Sequence, residues 1–283
     1  MFRGYAVQTT PRFANRPSRY GYLEYCDTEE FQAHCKENEV IYMQNALYGR
    51  MRTGRCVDTN YGYVGCGIDV LHLADWMCSG RPTCRIPVPN SAFKKEINCP
   101  KDLKPYFEAS YTCLEVQTAP DQLCHSSNFV LPSSTSGYLS NHVTMETRVG
   151  SEDCPWMIQG RSGQRINFTI YDFARKDLRV SGVQGVCRVY AVVRETGRSR
   201  GDTICSGNSR IVHAYTSTTH AVEVRILGKK DADNPEYFLL KYEKGDVDNH
   251  NHDDVCRVVA NADYGVDTGN QSLNSMMIWD RWC

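Results

Sequence analysis

The chain has 283 residues, 41% of them apolar, with 32 basic against 33 acidic side chains and a net charge of -1. That length sets a soft expectation of two domains, each long enough to bury its own core, and the near-neutral charge excludes the basic footprint of a nucleic-acid binder. No apolar run approaches the roughly 18 residues of a membrane-crossing helix, so no membrane span is expected in this chain.

Residues 1–19 are rich in Arg, Pro and Thr, show little periodicity and read as a disordered lead-in. They lack the apolar core of a signal peptide. The 14 cysteines conflict with that. Their number is even and no C-x-x-C pair occurs, which fits neither a zinc ribbon nor a thioredoxin-like redox site. A disulfide framework remains, and it needs an oxidising compartment. The expectation is an extracellular or cell-surface chain, built to bind rather than to catalyse. The missing leader, and the end on Cys283 just after Trp279 and Trp282, suggest a fragment of a longer protein.

A first cysteine block spans residues 20–117. Residues 40–43 (Val-Ile-Tyr-Met) and 106–111 (Tyr-Phe-Glu-Ala-Ser-Tyr) have strand character. Val70, Leu73, Ala74 and Met77 fall at helical spacing, with Asp69 near the start and Gly80 past the end. Residues 118–123, with Pro120, read as a linker. In a second block, 124–244, Ile166, Phe168 and Ile170 alternate with Arg165, Asn167 and Thr169. Val222, Val224 and Ile226 alternate with Glu223 and Arg225, and Phe238, Leu240 and Tyr242 share one parity. Period-two alternation between turns predicts an antiparallel sandwich. The fold class is therefore mainly β, a small disulfide-rich α/β domain followed by an antiparallel β-sandwich. Residues 245–283 read as a polar, flexible tail or the start of a further module. There His250 and His252 sit among Asp246, Asp248, Asp253 and Asp254, a solvated charge run rather than a metal site. Two sequons, Asn167-Phe168-Thr169 and Asn270-Gln271-Ser272, are candidate glycosylation sites, Asn167 on the polar parity of its strand.

The first block resembles the rhamnose/galactose-binding lectin domain of the sea-urchin-egg type over roughly residues 22–114. Eight cysteines carry the likeness. So do Ala46-Leu47-Tyr48-Gly49-Arg50, the Cys78-Ser79-Gly80-Arg81-Pro82-Thr83-Cys84 hairpin, and Pro89-Asn90-Ser91-Ala92-Phe93 before Cys99. The resemblance implies bridges Cys26–Cys56, Cys35–Cys113, Cys66–Cys99 and Cys78–Cys84, one choice among the 105 connectivities of eight cysteines. It also implies a sugar site of Asp27, Tyr48, Asn90 and Lys104, with Arg50 bracing the pocket. A monosaccharide asks for such a carboxylate and amide against an apolar wall. The chain departs from the family at Ile97-Asn98, where the family has Asp-Pro, leaving Glu96 as the nearest carboxylate. A Gly-Thr-Tyr-Lys-Tyr segment is here residues 101–106, Lys-Asp-Leu-Lys-Pro-Tyr.

The second block resembles a CUB domain, a jelly-roll sandwich, through Cys154-Pro155-Trp156-Met157-Ile158, Gly163-Gln164-Arg165-Ile166-Asn167-Phe168 and Tyr171-Asp172-Phe173. The likeness implies bridges Cys124–Cys154 and Cys187–Cys205, and a core position for Trp156. CUB domains that bind calcium have carboxylates where this chain has Gly182 and Tyr190. Asp231 and Asp233 alone do not supply the oxygen ligands calcium takes, so no metal and no cofactor is expected. His213 and His220 are expected to pack or face solvent, and Cys256 to pair with Cys283 or open a further module. No Gly-x-Ser-x-Gly, His-Glu-x-x-His or phosphate loop is present, so the chain is not expected to be an enzyme. The resemblances imply carbohydrate binding to galactose- or rhamnose-like cell-surface glycans. The alternative is an adhesion or receptor ectodomain whose modules bind protein partners beside a vestigial sugar site. A structural matrix component is a third reading.

Overall fold

In the first block the elements follow as β1 (Leu23–Tyr25), β2 (Glu30–His34), β3 (Glu39–Gly49), β4 (Ile68–Asp69), α1 (Leu71–Cys78), β5 (Thr83–Pro87), α2 (Ser91–Glu96) and β6 (Tyr106–Glu115). The computed structural model describes residues 23–60, 62, 66–100, 102–119, 134–174, 189–205, 209–227 and 236–246. The long strands β3 and β6 pair antiparallel from Glu39↔Glu115 to Gly49↔Tyr106, with a register shift between Met43 and Asn45. β1 and β4 flank them in the order β1-β6-β3-β4, and β2 pairs with β5 in a separate ribbon. β2 alternates along its length, burying Phe31 and Ala33, as a half-buried strand must.

The helix expected around residues 70–77 is α1. The Asp69 carboxylate accepts from the Leu71 amide at 2.7 Å at its start, and Gly80 lies just beyond its end with φ +80°, a conformation that glycine adopts without strain. Phe31 meets Phe107 edge-on at 5.7 Å, and Phe93 lies 5.1 Å from Phe107 and 5.3 Å from Tyr48. These rings centre the core of the first block. Four disulfides among the described residues cross-link it, with Cys35, Cys78 and Cys84 inside the core: Cys26–Cys56, Cys35–Cys113, Cys66–Cys99 and Cys78–Cys84.

The second block contains β7 (Ser136–Ser140), α3 (Asn141–Thr147), β8 (Trp156–Gln159), β9 (Gln164–Asp172), β10 (Val189–Glu195), β11 (Asp202–Cys205), β12 (Ile211–Thr216), β13 (Ala221–Ile226) and β14 (Phe238–Asp246). Two four-stranded antiparallel sheets, β12-β9-β14-β7 and β11-β10-β13-β8, face each other. The alternations read from the sequence point inward: Ile166, Phe168 and Ile170 from one sheet meet Trp156, Val222, Val224 and Ile226 from the other. This is the two-layer sandwich that such periodicity dictates. Helix α3 was not expected. Ser140 caps it, its hydroxyl accepting from the His142 amide at 3.2 Å, and Arg148 ends it with φ +65°.

The boundary between the first block and the expected linker is packed against the sandwich. Val116 and Ala119 are buried in the sandwich core cluster, and the Gln117 amide donates to the Tyr138 carbonyl at 2.8 Å. The chain therefore leaves β6 directly into the second block, and both blocks fall within one compact unit that ends at Gly245. Cys154 and Cys205 are disulfide-bonded. The lead-in, Lys101, Pro120, Cys124, Gly182, Cys187, Asp231, Asp233, His250, His252, Cys256, Asn270 and Cys283 lie outside the described residues.

Candidate functional site

Asp27 sits in the tight turn that follows β1. There Thr28 has φ +76°, and the turn is laced to the segment before α2: the Thr28 amide donates to the Val88 carbonyl and the Val88 amide to the Glu29 carbonyl, both at 2.8 Å. Two residues beyond Val88, Asn90 caps α2. Its Oδ1 accepts from the Ala92 amide at 2.9 Å and the Phe93 amide at 3.4 Å. The two donors assign the oxygen and leave the Nδ2 hydrogens as donors on the outer side. Lys104 arrives from the segment before β6, and its Nζ lies 3.5 Å from Asp27 Oδ2. Arg50 Nη1 donates to the Lys104 carbonyl at 3.4 Å, so Arg50 does hold this segment.

Tyr48 takes a different place from a pocket wall. Its side chain is fully buried, its ring 5.3 Å from that of Phe93, and its covered hydroxyl has no hydrogen-bond partner among the described residues. Burial first, and the Asp27 charge second, push the phenol up to about 12, so it stays neutral at physiological pH. Tyr48 is thus a buried core side chain within reach of the Asp27 charge rather than an exposed wall. Gly49 beside it has φ +145°, and a Cβ there would stand 2.2 Å from the Cys66 carbonyl oxygen. The strand end must therefore be glycine for the loop bearing Cys66 to close over it. Asp27 and Lys104 remain accessible, their side chains 30% and 79% exposed, and Asn90 is half-buried. Glu96 lies exposed at the last position of α2.

A buried cluster beside the site escaped sequence reasoning. The Glu108 carboxylate, fully buried, faces Arg52 Nη2 at 2.9 Å. It also accepts from the Tyr106 hydroxyl at 3.0 Å, while that hydroxyl takes the Arg52 amide at 3.2 Å. Burial foremost holds the Tyr106 phenol protonated and able to donate. Together these contacts pin the chain just past Tyr48-Gly49-Arg50 onto β6. The one signal available was a glutamate inside the apolar stretch Tyr106-Phe107-Glu108-Ala109, which a buried strand tolerates only with a partner.

In the sandwich, Tyr190 is buried and its hydroxyl donates to Asp172 Oδ1 at 3.0 Å, beside the Ala174 amide at 2.9 Å. Tyr190 thus acts as a hydrogen-bond donor at this position and offers no carboxylate. The groups of metal-ligating residue types among the described residues, Cys26-Glu29-Cys56 and Cys35-Glu39-Cys113, are built on disulfide sulfurs, which offer no thiolate. Asn167 is half-buried on β9 and its Oδ1 accepts from the Thr216 hydroxyl at 2.8 Å. His213 is exposed and shares that hydroxyl at 3.1 Å. No helix among the described residues is long and apolar enough to cross a membrane.

No curated protein matches the chain. Residues 33–113, the greater part of the first block, match the D-galactoside/L-rhamnose binding SUEL lectin domain family.

Proposed function

We propose that this chain is an extracellular carbohydrate-binding protein whose first block holds a galactose- or rhamnose-like unit of a cell-surface glycan. The observation that supports the reading is the accessible Asp27–Lys104 pair, on a turn bonded at Thr28 to Val88 in the segment that carries Asn90, inside the block that matches a lectin family over residues 33–113. A carboxylate accepts from two vicinal hydroxyls, while an ammonium and an amide donate to ring and hydroxyl oxygens. The sugar inserts between Asp27 and Lys104 and exchanges their direct ion pair for shared hydrogen bonds. In this reading these groups bind and orient the sugar. The sandwich is read as a CUB-like recognition module, because Cys154-Pro155-Trp156 leads into β8 with Trp156 at the centre of the core.

Calorimetric titration of the full chain with L-rhamnose and D-galactose tests the sugar reading. Saturating heat at millimolar sugar or below is expected, weak because one small ligand contributes few contacts and useful when sites are clustered. Asp27→Ala is expected to weaken binding at least tenfold while the far-ultraviolet circular dichroism and melting temperature stay unchanged. Binding that survives this substitution removes Asp27 from the site.

A second reading is favoured by one observation: Ile97 is half-buried where the family carries an aspartate. In that reading the modules of an adhesion or receptor ectodomain bind protein, and the folded chain gives no heat with either sugar.

Extracellular passage carries its own test. Asn167 lies on the outer face of β9, and its amide is oriented by Thr216. Protein secreted from animal cells is expected to carry an N-linked glycan there, seen as a mass shift that peptide N-glycosidase removes and Asn167→Gln abolishes. Unmodified Asn167 in secreted protein defeats this assignment.

A further inference from the structure

The first block meets the sandwich through a defined set of groups. Arg210, just before β12, reaches across to α1: its Nε lies 2.7 Å from Asp75 Oδ2, and its Nη2 donates to Asp75 Oδ1 at 2.9 Å. The same guanidinium donates to the Tyr42 hydroxyl at 3.0 Å and to the Met43 carbonyl, and lies 4.3 Å from the centre of the Tyr42 ring. Asp75 is 1% exposed. A further hydrogen bond to it, 2.6 Å long, comes from the Ser79 hydroxyl, which itself takes the Met43 amide at 3.0 Å.

The Cys78–Cys84 loop continues the contact. A Cβ on Gly80 would stand 2.6 Å from Tyr237 Cβ and 3.3 Å from the Phe173 ring, so any larger residue would wedge the blocks apart. Arg81 lies 4.7 Å from the centre of the Tyr237 ring. Tyr42 meets Tyr171 edge-on at 5.9 Å and Phe173 at 6.1 Å. Val40 and Val116 are buried in the sandwich cluster, with Tyr42 and Leu114 packed on it.

We infer that α1 and the Cys78–Cys84 loop form the first block's docking surface for the sandwich, that Arg210 is its anchor, and that the two blocks unfold as one cooperative body. A carboxylate this buried needs hydrogen-bond donors or a cation beside it to remain an anion, and here the sandwich supplies a guanidinium that is both. The carboxylate end of the pair is shut off from water, which strengthens the attraction. Tethered domains touch through small, more polar surfaces. This contact is aromatic, has a glycine at its closest approach, and runs on into the sandwich core through Val116.

Native-state hydrogen exchange on the full chain tests the inference. The slowest amides of the first block, among them Ile41 and Phe107, are expected to open with the same free energy and denaturant dependence as Val193 and Val224 of the sandwich. Arg210→Met and Gly80→Val are expected to separate the two sets, with the first block exchanging at least tenfold faster. Asp75→Asn combined with Arg210→Met removes the stranded charge and is expected to recover part of that difference, a coupling absent between independent sites. The inference is overturned if the wild-type blocks already open separately by tenfold or more. It is equally overturned if both single variants leave the blocks opening together at an unchanged rate. Should Gly80→Val not fold, the wild-type comparison and Arg210→Met decide alone.

Discussion

Full-length protein carrying Cys35→Ala and Cys113→Ala is expected to lose about 4 kcal/mol of stability against guanidinium, the largest loss from any one bridge in the first block. This disulfide joins the end of β2 to β6 across 78 residues of sequence. The chain entropy withheld from the unfolded state grows with the logarithm of that loop, and for about 80 residues it amounts to roughly 4–5 kcal/mol. For a cooperative unit of this size the melting temperature falls by on the order of 10 °C. The shorter Cys26–Cys56 loop, of separation 30, is expected to contribute less, about 3.5 kcal/mol by the same relation. A loss below about 1 kcal/mol for the Cys35–Cys113 pair, or an inverted ranking, would show that the unfolded chain is held compact by other means.

The second large effect belongs to Glu195, at the end of β10. Its residue is 2% exposed. Burial pushes its carboxyl up, but the Thr218 hydroxyl at 2.6 Å, the Tyr215 hydroxyl at 2.6 Å and the Thr218 amide at 2.8 Å outweigh that and hold it down at about 2. A carboxylate depressed on folding adds stability that is complete above its unfolded value, near 4.5. That stability is lost as pH falls from there toward 2. The shift corresponds to about 3 kcal/mol at neutral pH. Glu195→Ala is therefore expected to destabilise the sandwich by about that amount at pH 7, with the difference from wild type shrinking toward pH 2. Urea unfolding at pH 7, 4 and 2.5 checks it. A difference that does not change with pH would mean that the carboxylate acts through packing rather than charge.

Several parts of this architecture were open to reading from the residues. Strand β9 announces itself because Ile166, Phe168 and Ile170 alternate with polar residues, and a strand between a core and a polar face allows no other pattern. Helix α1 shows in Val70, Leu73, Ala74 and Met77, with a glycine beyond its end. Helix α3 does not, because Asn141-His142-Val143-Thr144-Met145-Glu146-Thr147 has one serine cap and little apolar periodicity, and its position is decided by packing. Asn141 illustrates this: its side chain bonds the Phe238 amide at 3.0 Å and the Glu236 carbonyl at 2.7 Å, nearly a hundred residues away.

The candidate site divides in the same way. Asp27, Asn90 and Lys104 were named from motif positions alone, yet nothing in a linear motif places Tyr48 in the core rather than on an exposed wall. Its depth follows from the β3–β6 register, which sets Tyr48 opposite Phe107, and from the cap at Asn90, which turns Phe93 down onto it.

The amino-acid order by itself determined the local matters: which segments are strands, which face of each is apolar, where chain reversals fall, and that the cysteines are of a kind to be oxidised. These depend on neighbours within a few residues, whose geometry is set by backbone sterics and side-chain period. The tertiary structure alone decided the partners. Asp75 found Arg210 across 135 residues, Glu108 found Arg52 across 56, and Ala119 in the expected linker, with Val116 just before it, became buried core. A charge or an apolar side chain states only that it needs a partner. Which one it gets is settled when sheet register and block packing bring distant residues within a few ångströms, and no period in the sequence records that.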